Sequence, residues 1–242
     1  MKKLVLTSVC TLAVAGAALA QGTVNWSGPS FSYYTTQTNS QTYSPLFGGG
    51  STGSGAVGVT APTSAGGSFY FELLYTAYSG SGNGFAGVAA SPSTLTQLAT
   101  WSDSGLGGTQ GTVGGRNSVS TANGAQVIQW PQGTTDSVML VEWSGNLGTT
   151  WATALATLQS SSALQALLGQ NVFFGESNTG YINPSTSTTS GATLFGNASQ
   201  GTAGTPILSL STQLYLVPVP EPSTIAMAAF GGLSLLALRR KK

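Results

Sequence analysis

Ile207-Leu-Ser-Leu-Ser-Thr-Gln-Leu-Tyr-Leu-Val217 alternates with period two. Leu208, Leu210, Leu214 and Leu216 fall on one side, with Ser209, Ser211, Gln213 and Tyr215 on the other. Successive side chains of a strand point to opposite faces, so this is the pattern of a half-buried β-strand. Ser68 to Tyr78 repeats it, with Phe69, Phe71, Leu73, Tyr75 and Ala77 against Tyr70, Glu72, Leu74 and Tyr78. Ser137 to Trp143 is apolar on both faces near its middle, which predicts a central strand covered on both sides. Val24–Tyr34, Ala125–Trp130 and Asn171–Phe174 are weaker candidates. Glycine-rich stretches at Gly48–Gly58, Ser79–Gly84 and Gly105–Gly115 read as breaks between them.

Two stretches have helical character. Ser91-Pro92 places a capping residue before a first-turn proline, and Leu95, Leu98 and Ala99 follow at helical spacing. In Thr150–Leu168, Trp151, Leu155 and Leu158 share one face, but Leu164, Leu167 and Leu168 point the opposite way. A break at Ser160-Ser-Ser resolves this conflict. Ser162 to Gln165 then reads as a capping box for a second short helix ending at Gly169, the pair lying over a sheet edge or end. The segment 178–206, rich in Ser, Thr, Gly and Asn, reads as a long loop in which Leu194-Phe195 could pair as an edge strand. The expected fold is mainly β: a sandwich or jelly-roll-like ectodomain over 21–217 with two or three short helices, followed by a single C-terminal hydrophobic helix.

Composition narrows the chemistry. Charged residues are 5% of the 242, against about 25% in a typical soluble domain. Hydrophobic residues are 40%, enough to form a core despite the low charge. Lys2 and Lys3 lie at one end; Arg239, Arg240, Lys241 and Lys242 lie at the other. Between Gln21 and Pro220, Arg116 is the only base against Glu72, Asp103, Asp136, Glu142 and Glu176, a net charge of −4. Such a surface offers nothing to phosphates, which argues against nucleic-acid binding. There is no histidine, and the one cysteine is Cys10. Beyond it, Ser-His-Asp triads, Cys-His dyads, disulfides and His or thiolate zinc sites are excluded.

Several constellations remain to be placed. Glu72 and Glu142, both in candidate strands, would be the carboxylate pair of a secreted glycoside hydrolase if they flanked one cleft; otherwise each is a rim carboxylate. Asp136 and Glu142 share a face but lie about 20 Å apart along a strand, too far for such a pair. Asp103, Asp136 or Glu176 could join loop carbonyls around Ca²⁺, although no D-x-D-x-D pattern supports this and no cofactor is expected. Tyr33, Tyr34, Tyr70, Tyr75, Tyr78 and the tryptophans 26, 101, 130, 143 and 151 are either core or a sugar-stacking platform, the latter making the ectodomain a carbohydrate-binding module. Asn25-Trp-Ser and Asn197-Ala-Ser match the N-glycosylation sequon, a pattern too short to carry weight alone.

The ends are more specific. Lys2-Lys3, an apolar run from Leu4 to Leu19, and Ala18-Leu19-Ala20 before Gln21 have the layout of a secretory signal peptide over 1–20, cut by signal peptidase before Gln21. Val9 and the short apolar stretch ahead of Cys10 argue against a lipoprotein anchor. At the other end, Val217-Pro-Val-Pro-Glu-Pro-Ser-Thr224 precedes an apolar run over 225–238 and the basic cluster 239–242. At 1.5 Å per residue that run is about 21 Å as a helix, short of a comfortable bilayer span, and its centre is rich in Ala and Gly. The basic cluster should remain cytoplasmic. Pro218, Pro220 and Pro222 keep the segment ahead of it extended.

Residues 218–242 resemble the PEP-CTERM sorting signal of Gram-negative bacteria, with Pro220-Glu221-Pro222-Ser223-Thr224 as the motif. The resemblance implies recognition by an exosortase, an integral-membrane transpeptidase-like protease. It also implies transient anchoring in the inner membrane, then release or transfer to the cell surface, commonly alongside exopolysaccharide. The opening Gln21-Gly-Thr-Val-Asn-Trp and Gly175-Glu-Ser-Asn are similar to other ectodomains of that family, a likeness carrying no activity. The expected role is that of a non-enzymatic surface or matrix protein.

Overall fold

The computed structural model describes residues 21–26, 34–38, 69–78, 80, 92–110, 116–117, 125–186, 191–196, 204–205, 207 and 211–217. The fold is organised around β7 (Asp136–Ser144), in which all nine residues are buried. β3 (Phe69–Ala77) runs antiparallel along its whole length on one side, from Phe69 opposite Ser144 to Ala77 opposite Asp136. The other side is shared by β8 (Phe173–Glu176), paired with Val141–Trp143, and β9 (Gly180–Ile182), paired with Asp136–Val138. Among the described residues β4 (Ser102–Thr109) pairs only with β3. Beyond β8 come β12 (Ser211–Leu216), β2 (Tyr34–Thr38) and β5 (Arg116–Asn117), and β11 (Gly204–Thr205) lies beyond β9. A second sheet places β1 (Gln21–Asn25) between β6 (Ala125–Pro131) and β10 (Ala192–Thr193).

The alternation of β7 divides the core in two. Val138 and Leu140 face the smaller sheet and pack with Phe71, Leu73, Val24, Trp26, Ile128 and Trp130. Met139, Val141 and Trp143 face the other way, into a cluster with Leu98, Trp151, Leu158 and Leu164. Those last residues come from α1 (Pro92–Leu98), α2 (Trp151–Gln159) and α3 (Ser161–Gln165). The mainly-β, sandwich-type expectation is therefore met, with a helical layer over the large sheet's outer face. The helices cover a face, not an edge or end, because β7 is apolar on both sides and needs both covered. The expected C-terminal helix over 225–238 lies outside the described residues.

Local chemistry explains the boundaries. Thr150 and Thr153 cap each other reciprocally at the start of α2. The break falls at Ser160, whose hydroxyl accepts from the Ala163 N–H at 3.2 Å and so caps α3. The expected cap at Ser162 is two residues too late, since the first hydroxyl after α2 already does the work. Val24–Tyr34 is not one strand; β1 ends at Asn25 and β2 begins at Tyr34. The expected break at Gly105–Gly115 is occupied in its first half by β4. Glycine is needed there because a Cβ at Gly107 would collide with the Glu72 carboxyl and lie 2.6 Å from the Phe71 carbonyl oxygen. The 178–206 segment holds β9, β10 and β11, and Phe195 bridges Ile207.

Candidate functional site

The two segments expected to be processed adjoin strand ends. Gln21, exposed, is the first residue of β1. Val217 follows β12, and its N–H donates to the Val172 carbonyl at 2.8 Å. Ala18 and Ala20 of the expected cleavage site, Pro220 to Thr224, and Arg239 to Lys242 lie outside the described residues. Among the described residues no helix is long and apolar enough to cross a membrane.

The ectodomain acids are placed by register. Glu72 stands opposite Val141, whereas Glu142 stands opposite Phe71. Directly opposed residues share a face and successive ones alternate, so the two glutamates lie on opposite faces of the large sheet. They cannot flank one cleft, which removes the proposed hydrolase pair. Glu142 is buried rather than on a rim; its Oε1 accepts from Asn117 Nδ2 at 2.6 Å, and the Asn117 carbonyl accepts from Trp26 Nε1 at 2.9 Å. A polar cross-brace thus sits between the sheets.

Glu72 has a different partner. Burial first, then a hydrogen bond and the like charge of Asp103, push its pKa up to about 9. At neutral pH the Glu72 carboxyl therefore keeps its proton. Asp103 also accepts from the Gly105 N–H at 2.6 Å. Glu176, also opposite Val141 but on its other side, completes a row with Glu72 on the helix-covered face. Two strand spacings separate their backbones, about 10 Å. Glu176 is wholly buried, neither carboxyl oxygen has a hydrogen-bond partner among the described residues, and burial raises its pKa to about 7. Asp136 lies on the opposite face and is likewise raised by burial. The three acids considered for Ca²⁺ therefore do not meet, and no cluster of three acidic, His or Cys side chains occurs among the described residues. The Glu72–Glu176 row was invisible in the sequence, because spacing within a strand says nothing of register between strands.

The tryptophans are core. All five are at most 8% exposed, which leaves none of them free to stack on a sugar. Trp143 packs against Tyr70 and Trp151, and its Nε1 donates to the Gly148 carbonyl at 2.8 Å. Trp130 stacks on Tyr75. Tyr33 lies outside the described residues, as does the side chain of Tyr34.

Residues 218–241 match the family model of the PEP-CTERM protein-sorting motif. The motif implies an exported chain, anchored in the membrane by its C-terminus and targeted by an exosortase. No curated protein and no solved structure matches the chain.

Proposed function

We propose that this is an exported surface or extracellular-matrix protein, released by exosortase at or near Pro220-Glu221-Pro222 after signal peptidase has cut before Gln21, with a β-rich ectodomain of structural, non-enzymatic role. The observation that carries this reading is the match of residues 218–241 to the sorting motif. The ectodomain supports it in two ways. Its acids are dispersed over both faces of the sheet or buried beneath helices, and its tryptophans are consumed by the core. What remains outside is a scaffold poor in charge, consistent with packing in a hydrated exopolysaccharide layer.

The test is replacement of Pro220, Glu221 and Pro222 together by alanine in the producing cells. The variant is expected to accumulate in the inner-membrane fraction with its tail intact and to disappear from the surface fraction. Normal surface delivery of the triple variant would overturn the processing route.

A further inference from the structure

Tyr78 and Tyr181 are distant in sequence, yet their rings stack with centroids 4.4 Å apart and planes 20° from parallel. Register explains why. Tyr181 stands opposite Ser137 on β7, and Thr76 stands opposite the same serine from β3. Tyr78, two residues beyond Thr76, lies on that same face. The strands that carry the tyrosines are two spacings apart, about 10 Å, and the small Ser137 between them leaves room for the rings to lean together. Both residues are partly exposed. A near-parallel stack at this centroid separation brings ring carbons of the two phenols within reach of one another.

We propose that Tyr78 and Tyr181 are a modification site, joined as an intramolecular dityrosine when the exported protein meets a one-electron oxidant of the peroxidase class. Each phenol gives one electron to the oxidant and its phenolic proton to solvent. The two phenoxyl radicals then couple through one ortho carbon each. The hydrogen on each joined carbon shifts to its oxygen, restoring both phenols. The product has lost two hydrogens, and hydrogen peroxide as terminal oxidant becomes two waters. Holding the partners in contact removes the bimolecular encounter that otherwise limits radical coupling. The bond ties β3 to β9 across β7, closing a long loop in a chain with no cysteine after Cys10. Restricting the unfolded chain in this way moves the unfolding midpoint to higher denaturant. The inference rests on ring geometry alone and is independent of how the tail is processed.

Arg116 provides the assay, because it is the only tryptic site between Gln21 and Pro220 and separates Tyr78 from Tyr181. The full chain is treated at high dilution with a haem peroxidase and hydrogen peroxide, then denatured and digested with trypsin. The expected result is a monomer two hydrogens lighter, with dityrosine fluorescence, whose two halves stay covalently joined after cleavage at Arg116. In Tyr78→Phe and in Tyr181→Phe, which keep the ring stack, the link is lost and the halves separate. Halves that separate in the oxidised wild type, or stay joined in either variant, would overturn the proposal.

Discussion

Replacing Glu176 by glutamine should erase a pH dependence that this one side chain imposes on folding. Its carboxyl is buried with both oxygens unpartnered among the described residues, and burial raises its pKa from the ordinary 4.5 to about 7. The unfolded chain gives up this proton near 4.5, whereas the folded chain keeps it until about 7. Between those values the unfolded state binds fewer protons, so stability falls as pH rises. The contribution is complete below 4.5, lost by about 7, and constant beyond. At about 1.4 kcal/mol per pH unit the loss comes to ~3 kcal/mol. Glutamine keeps the shape and cannot ionise. Urea unfolding of both proteins from about pH 4 to about pH 8, followed by fluorescence of the buried tryptophans, gives the difference directly. Glu72 is present in both and cancels. The stability of Glu176→Gln relative to the wild type is expected to climb by ~3 kcal/mol across that range. A flat difference, or one that falls with pH, refutes the assignment of a neutral buried carboxyl.

Gly107→Ala should destabilise the β4 edge by about 1–3 kcal/mol, because its Cβ has no room beside the Glu72 carboxyl and the Phe71 carbonyl. Gly108→Ala, which meets Phe71 only at 3.3 Å, should cost less; thermal melts that rank the two the other way would contradict the packing. Asn117→Ala removes a donor 2.6 Å from the buried Glu142 carboxyl and should cost about 1–3 kcal/mol by urea unfolding.

Much of the architecture could be read from the chain because it depends on local periodicity. The uninterrupted apolar run of β7 announced a strand covered on both faces, and the clash of apolar faces after Ser160 announced two helices. The cap of α3 was misplaced because Ser160, Ser161 and Ser162 are equivalent as hydroxyl donors and acceptors, and only chain direction after α2 selects among them. Composition misled in the first half of Gly105–Gly115, where Gly107 and Gly108, read as part of a break, lie in β4 against Glu72 and Phe71 reaching across from β3. The short strands β9, β10 and β11 pair through backbone groups, which leave no mark on residue type. Register was the largest gap. It sets Glu72 and Glu142 on opposite faces, brings Glu72 into line with Glu176, and stacks Tyr78 on Tyr181, all through contacts between residues far apart in sequence. The sorting motif was legible, because it is recognised as a linear order of proline and glutamate, apolar and basic residues.

The most direct measurement is the intact mass of the protein recovered from the cell surface, with its C-terminal peptide sequenced. Exosortase processing predicts a C-terminus at or near Pro220-Glu221-Pro222, with the apolar run and Arg239 to Lys242 gone. A surface form that still ends at Lys242 would contradict it.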